Sequence, residues 1–139
     1  MRKNGFTLIE LLAVIVILAI IALIATPIVL NIIDDTKKSA QLRSAEMYLS
    51  GVETAIMKES MKNNTTLKLT TCDITTDGNL ACENVDDNIN VEVDGEVPSG
   101  GSIAFENGKI TEVTLEYENT TIVMADNNKL IHDDEVALK

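Results

Sequence analysis

Residues 6–30 read FTLIELLAVIVILAIIALIATPIVL, and this stretch decides how the rest of the chain is organised. Every residue from Leu11 to Ala25 is Leu, Ala, Val or Ile. As a helix the stretch would reach about 37 Å, which is enough to cross a hydrocarbon core of about 30 Å. Arg2 and Lys3 precede it, so we expect this end to stay in the cytoplasm and the rest of the chain to lie outside.

Glu10 is the one charged side chain inside this apolar stretch. A carboxylate within a membrane span costs about 3 kcal/mol and usually has a partner, yet the stretch contains no Lys or Arg. A cut between Gly5 and Phe6 would create an α-amino group four residues before Glu10, and that amine could neutralise the carboxylate of a neighbouring chain. An ordinary secretory signal is the alternative, but its small-residue cleavage candidates at residues 20–25 lie in the middle of the apolar run.

MRKNG followed by FTLIELLAVIVILAIIALIATPIVL resembles the leader and N-terminal segment of type IV prepilins, a group shared with the pseudopilins of type II secretion and competence. The resemblance covers about residues 2–33. It implies that prepilin peptidase cuts after Gly5 and that the new N-terminal residue, Phe6, is methylated. It also implies that Glu10 pairs with the Phe6 amine of an adjacent subunit during filament assembly. A plain single-span anchor with a stray glutamate is the alternative.

The resemblance implies a type IV pilin subunit, processed by prepilin peptidase and polymerised into an extracellular pilus filament, with no active site, cofactor or metal of its own. Its implied partners are the peptidase, other copies of itself and related pilins, the membrane and, indirectly, the pilus assembly platform and its ATPase machinery. The precursor would be a single-pass protein of the inner (cytoplasmic) membrane before it joins a filament at the cell surface. One alternative is a pseudopilin of a type II secretion or competence DNA-uptake system. Another is a membrane-anchored surface binding protein that never polymerises.

Pro27 lies near the end of the apolar stretch and predicts a helix kink. It removes one helical hydrogen bond and crowds the carbonyl of Leu23. The Thr26 hydroxyl would help to satisfy the freed backbone. By resemblance, a second interpretation is that residues 23–28 melt and extend when the subunit enters a filament.

Beyond Asn31 the pattern becomes amphipathic, and a long helix is predicted to about Ser60. Its apolar stripe needs cover, which the C-terminal part of the chain or a coiled coil barely two heptads long could supply. Gly51 costs a helix about 1 kcal/mol, so it suggests close packing by a neighbour. The stripe consists of Leu42, Ala45, Leu49, Val52 and Ile56.

After residue 63 the period shifts to two, which predicts an antiparallel meander of about four strands. Asn107-Gly108 is a strong hairpin signal, and Ile110 breaks the alternation after it, so a bulge is expected near this turn. One face of the sheet would pack on the helix stripe, and the other would be polar and acidic. The predicted fold class is therefore α+β, a long N-terminal helix on a small antiparallel sheet, as in type IV pilins. Strand patterns lie at residues 89–93, 102–106, 109–118, 121–125 and 130–132.

The chain has a formal net charge of −11, and this charge is uneven. Residues 1–62 carry seven Lys or Arg against six Asp or Glu, a net of +1, and residues 63–139 carry four against sixteen, a net of −12. The acidic part therefore offers no basic patch for nucleic acid. The predicted parts are a leader (1–5), a transmembrane and filament-core helix (6–30), an amphipathic stem (31–62) and an acidic head (63–139).

Cys72 and Cys82 are the only cysteines, and the nine residues between them include a turn-forming TDGN sequence. This spacing suits a disulfide that closes a turn on the extracytoplasmic side, and two free thiols are the alternative. With the single histidine, His132, and no C-x-x-C motif, neither a zinc site nor His-dependent catalysis is expected. The acidic triplets at residues 86–88 and 133–135 match no calcium-loop spacing, so we expect solvated turns.

Overall fold

The computed structural model describes residues 4–136, so Arg2 and Lys3 of the predicted leader lie outside the described residues. One long helix, α1 (Leu8–Lys62), precedes a six-stranded antiparallel sheet and a short helix, α2 (Asp133–Val136). The chain divides into two compact units, one up to Lys37 and one from Lys38. The predicted domain limits stay a prediction. The strands are β1 (Thr71–Ile74), β2 (Leu80–Cys82), β3 (Gly100–Glu106), β4 (Lys109–Tyr117), β5 (Thr120–Met124) and β6 (Leu130–His132).

The end of α1 lies close to the predicted position and is set by a C-terminal cap. Asn64 has a positive φ of 49°, its N–H donates to the Met61 carbonyl, and the Thr65 N–H donates to the Ser60 carbonyl. These two bonds form a Schellman motif, in which a residue in the left-handed conformation satisfies the last free carbonyls of a helix. The helix thus ends at Lys62, two residues beyond the predicted end at about Ser60.

The sheet has the strand order β2-β1-β3-β4-β5-β6, with every neighbouring pair antiparallel. The last four strands follow one another along the chain and are the predicted four-stranded meander. The β1–β2 hairpin adds two strands beside β3 that the sequence did not predict. The α+β layout of a long helix on an antiparallel sheet is confirmed, with six strands rather than about four.

The β3–β4 hairpin confirms both local predictions made for it. Asn107 and Gly108 link the strands and both have positive φ, at 54° and 78°. The register then shifts, because Ala104 faces Glu112 whereas Phe105 faces Ile110, which leaves one extra residue in β4. That extra residue is the predicted bulge.

The predicted strand at residues 89–93 is wrong. Ile89 makes only an isolated bridge with Leu80, and the Val91 N–H donates to the side-chain Oδ1 of Asn79 at 3.2 Å. Val93 packs over Gly51 of the helix. The alternation of apolar residues here reflects packing against the core, and a side chain supplies a hydrogen bond that a neighbouring strand would otherwise make.

The sheet covers the second half of α1, but the centre of the buried stripe is rotated from the prediction. Tyr48 and Ala55 are buried although the apolar pattern did not include them, and Tyr48 donates its hydroxyl to the Gly78 carbonyl at 2.8 Å. The close approach predicted at Gly51 is confirmed, since a Cβ there would run into the Val93 side chain. The buried stripe is Ala45, Tyr48, Val52 and Ala55, and Leu42, Leu49 and Ile56 are only partly buried at its edges.

The face of the sheet turned away from the core was predicted to be polar and acidic, and it carries apolar side chains as well. Exposed Glu112 and Glu116 alternate along β4 with the half-buried Thr114. The strand pairing places Thr114 in one row across the sheet with one acidic side chain, Asp73, and otherwise with small or apolar side chains. That row contains Ala81, Asp73, Ser102, Thr114, Val123 and Ile131.

Candidate processing and assembly site

The predicted cleavage position lies just before the helix, in backbone without regular secondary structure. Residues 4–7 are irregular, and α1 begins at Leu8. Phe6 is 91% exposed, and a Cβ added at Gly5 would meet nothing within 4 Å. The peptide bond between Gly5 and Phe6 is therefore open on both sides, as a protease requires of the bond that it cuts.

Thr7 and Glu10 form a reciprocal cap at the start of α1. The Glu10 Oε2 accepts hydrogen bonds from the Thr7 backbone N–H at 2.9 Å and from the Thr7 hydroxyl at 3.1 Å. The Glu10 backbone N–H donates in return to the Thr7 Oγ1 at 3.3 Å. This is the capping box, in which the first residue before a helix and the third residue within it satisfy each other's free N–H groups.

Thr7 is the site residue that the sequence reasoning missed. Its signal is present in the sequence, because a Thr-x-x-Glu pattern before an apolar run is the signature of a capping box. The sequence analysis assigned Glu10 a role through its charge in an apolar segment, and the structure adds a second, local role as a helix cap. The cap explains why α1 begins at Leu8 and leaves the Gly5–Phe6 bond outside the helix.

The cap links Glu10 to the residue that follows the predicted N-terminal Phe6. Phe6 is covalently joined to Thr7, whose N–H contacts the Glu10 carboxylate. The nitrogen that cleavage would free therefore lies one residue away from a group already bonded to Glu10. The pairing of Glu10 with the amine of an adjacent subunit stays a prediction.

Residues 8–33 of α1 present an almost wholly apolar surface. Within residues 4–136, α1 is the one helix long and apolar enough to cross a membrane. Its large apolar side chains from Leu8 to Ile33 are at least 43% exposed. A continuous surface of this kind marks contact with lipid or with other protein.

Pro27 lies inside α1, which continues through it. The Thr26 hydroxyl donates to the Ala22 carbonyl at 2.6 Å and not to the Leu23 carbonyl that Pro27 leaves without its usual donor. The predicted role of Thr26 is therefore wrong in detail, because its hydroxyl reaches back four residues along the helix rather than three. The kink at Pro27 and the melting of residues 23–28 stay predictions.

Cys72 and Cys82 lie in the second unit, directly opposite each other in the pairing of β1 with β2. The structure joins them by a disulfide across a Cα–Cα distance of 4.1 Å. Both side chains are buried against the core. The bridge thus links the two short strands that extend the meander.

Within residues 4–136, no group of three or more His, Cys, Asp or Glu side chains is placed to hold a metal ion. His132, the single histidine, is buried, and its ring nitrogens lie within hydrogen-bond distance of Thr120 and of the Lys38 carbonyl.

Comparison with known proteins gives a match that falls on this site. Residues 1–26 match the family model described as the prokaryotic N-terminal methylation motif. No curated protein and no solved structure matches the chain at a significant level. The N-terminal residues are thus a prepilin-type cleavage and methylation segment, consistent with processing by prepilin peptidase and with membrane association, and they support a precursor of the type IV pilin or pseudopilin type.

Proposed function

We propose that this chain is a type IV pilin subunit, cut between Gly5 and Phe6 by prepilin peptidase, methylated at Phe6 and polymerised into an extracellular filament. The observation that carries the proposal is the position of Glu10. It is a carboxylate in an apolar helix, beside an open peptide bond whose cleavage would create the cation that it lacks. The chain is then a substrate of one enzyme and carries no active site of its own.

The apolar surface of α1 would supply affinity between subunits but not their alignment. Burial of apolar area is favourable in many registers, because the hydrophobic effect is non-directional. A buried charge without a partner costs several kcal/mol, so a pair formed between two chains is satisfied in one axial register only. In the proposed filament, Glu10 of one subunit and the Phe6 amine of the next set that register.

The capping box gives Glu10 a partner before processing. In the uncut chain two donors of Thr7 contact its carboxylate, which lowers the cost of holding a charge in lipid. Cleavage adds the Phe6 amine beside these donors. The subunit would therefore wait as a single-pass protein of the cytoplasmic membrane and become competent for assembly once it is cut.

A pseudopilin of a type II secretion or competence DNA-uptake system remains the alternative, because the matched motif serves pilins and pseudopilins alike. The third candidate, a membrane-anchored binding protein that never polymerises, predicts an intact leader and no requirement for Glu10.

Mass spectrometry of the N-terminus of the purified protein tests the processing step. The proposal expects a chain that begins at Phe6 with one added methyl group on the α-nitrogen. A chain that keeps the leader would overturn it and would favour the non-polymerising anchor.

Glu10→Gln tests the assembly step, because it removes the charge and keeps the shape of the side chain. We expect normal expression and membrane insertion, with filaments on cells reduced at least about tenfold, as loss of a buried ion pair implies. Asp35→Asn is the matched control, since this acidic residue of α1 lies beyond the apolar stretch and should leave filament number unchanged. Normal filament number in Glu10→Gln would reject the assigned role.

A further inference from the structure

His132, at the end of β6, is a buried polar side chain that has no role in the proposed function. It is 1% exposed, and it lies between the sheet and α1. Its Nε2 lies 3.1 Å from the backbone carbonyl of Lys38, and its Nδ1 lies 3.0 Å from the Thr120 hydroxyl. The ring therefore links the first strand of the β5–β6 hairpin and the helix through both of its nitrogens.

The chemistry of the partners fixes the hydrogen positions of the neutral ring. A carbonyl oxygen can only accept, so Nε2 must carry the hydrogen and donate it to Lys38. Nδ1 is then an acceptor, and the Thr120 hydroxyl donates to it. Both nitrogens of a buried imidazole are satisfied without a charge.

Lys38 makes a second contact, through its side chain, on the surface of the protein. The Asp134 carboxylate, in α2, lies 3.0 Å from the Lys38 ammonium group, and both side chains are exposed. The backbone and the side chain of Lys38 are thus bound by two residues that are neighbours along the C-terminal segment.

Lys38 has a particular place on α1. It is the first residue of the second compact unit, and it precedes Ala45, the first buried residue of the helix stripe, by seven positions. The fully buried part of the helix therefore begins at Ala45. The two preceding turns are only partly covered, with Leu42 packed against the edge of the core, and the polar contacts of Lys38 lie at their start.

We propose that Thr120, His132 and Asp134 form a clasp, a set of polar contacts that fixes α1 at Lys38. Lys38 is then the N-terminal limit of the part of α1 that the sheet holds in place. Bending or melting of α1 on the membrane side then stops at Lys38 and does not spread into the turns that precede the core. The proposal rests on the proposed function in one respect only: filament assembly is the event that would melt α1 before Lys38. The clasp itself is a property of the single subunit, with or without cleavage.

Hydrogen exchange of the full-length chain in detergent micelles tests the clasp, with mass spectrometry of the peptides that cover residues 30–37, 38–44 and 48–56. The variants are Thr120→Val and His132→Phe, which remove the buried bonds, and Asp134→Asn, which removes the exposed pair. Asp133→Asn is the matched control, because it changes an equally exposed neighbouring carboxylate.

We expect Thr120→Val and His132→Phe to speed exchange of residues 38–44 up to about tenfold while residues 48–56 stay protected, as loss of one buried hydrogen bond implies. Asp134→Asn should speed it about twofold, as for an exposed ion pair, and Asp133→Asn should have no effect. Unchanged exchange at 38–44 in Thr120→Val would overturn the clasp. An equal rise in the exchange rate of residues 48–56 would also overturn it, because Thr120 and His132 would then stabilise the whole core and not residues 38–44 in particular. If His132→Phe does not fold, Thr120→Val decides alone.

The stop itself is tested by weakening the helix just below it. Thr36→Gly lowers helix propensity at an exposed position, so exchange of residues 30–37 should rise in every background. With the clasp intact, residues 38–44 should stay protected. With Thr120→Val added, the fast exchange should extend into residues 38–44 by more than the two single changes predict. Additive effects would reject the stop, and this outcome is independent of processing and of filament formation.

Discussion

Two buried tyrosines, Tyr48 of α1 and Tyr117 of β4, show that the effect of a buried hydroxyl group on stability depends on its hydrogen-bond partner. Tyr48 donates to the Gly78 carbonyl and so holds the β1–β2 turn against the helix. Tyr117 is equally enclosed, but its hydroxyl has no hydrogen-bond partner within the part of the chain that the structure describes. Burial, and then the nearby Glu96 carboxylate, raise the pKa of Tyr117 to about 12, so its hydroxyl stays protonated at neutral pH.

Tyr48→Phe should therefore destabilise the protein, whereas Tyr117→Phe should not. The first change leaves the Gly78 carbonyl without its donor and should lower the free energy of unfolding by about 1 kcal/mol. The second removes an unsatisfied buried group, so a neutral or slightly stabilising effect is expected. Urea unfolding followed by far-UV circular dichroism compares the two variants, and equal losses would contradict the difference in pairing.

At the scale of elements, α1 and the segment after β2 pack closely against each other at Gly51. A Cβ there would run into the Val93 side chain and would lie 3.3 Å from the Glu92 carbonyl oxygen. Alanine favours a helix over glycine by about 1 kcal/mol, but overpacking costs about 1–3 kcal/mol, so Gly51→Ala should be destabilising overall. Ser50→Ala, at the exposed neighbouring position, should be neutral or stabilising. Thermal melts of both variants test whether the melting temperature falls in Gly51→Ala and stays the same or rises in Ser50→Ala. A higher melting temperature for Gly51→Ala would show that the Val93 side chain moves aside at little cost.

The disulfide joins two short strands, β1 with four residues and β2 with three. A loop of this length contributes about 2.8 kcal/mol by the chain-entropy estimate. We expect a reductant to lower the melting temperature of the head and to leave the Cys72→Ala/Cys82→Ala double variant unaffected. Coincident melts of the unmodified protein with and without reductant would mean that the thiols are free in the purified protein.

Asp134 should make the contact between α2 and α1 dependent on pH. Its hydrogen bond to Lys38 holds the pKa of the Asp134 carboxyl below its ordinary value, and the positive charge of Lys38 acts in the same direction. A group with a lowered pKa in the folded state stabilises the protein above its unfolded pKa, about 4, and this stabilisation is lost as the pH falls through the folded value. Asp134→Asn should therefore be less stable than the unmodified protein at pH 6 and equal to it well below pH 4. Urea unfolding at each pH measures the free energy of unfolding of both proteins. An equal difference between them at both pH values would contradict the assignment, and Asp133→Asn is the control.

Elements with a long, strong pattern could be predicted from sequence, and short ones could not. The apolar run and the Asn107-Gly108 turn each depend on local chemistry, so α1 and the β3–β4 hairpin were predicted correctly. β1 and β2 have four and three residues, too few to show an alternation, and their pairing brings together residues on either side of a turn. Tyr48 was missed because its hydroxyl made it look polar, whereas its ring is buried and its hydroxyl is satisfied by a backbone carbonyl that only the fold supplies.

At the scale of the whole molecule, the chain consists of parts made for different surroundings. Residues 8–33 expose apolar side chains that need lipid or neighbouring helices. Residues 63–139 carry four basic and sixteen acidic side chains, a net charge of −12 that suits water. In the proposed filament the helices would be enclosed, and the heads of many copies would bring their negative charge to one surface.

This charge predicts that filaments stay separate at neutral pH and associate side by side in acid. Repulsion between the heads keeps them apart while the carboxylates are ionised, and protonation near pH 4 removes most of that charge. We expect light scattering and electron microscopy to show bundles at pH 4 that disperse again at pH 7, with circular dichroism unchanged between the two. Salt at about 1 M should promote bundling at pH 7 in the same way, because it shortens the screening length to about 3 Å. Filaments that bundle equally at pH 7 in low salt would show that contacts other than charge repulsion govern their association.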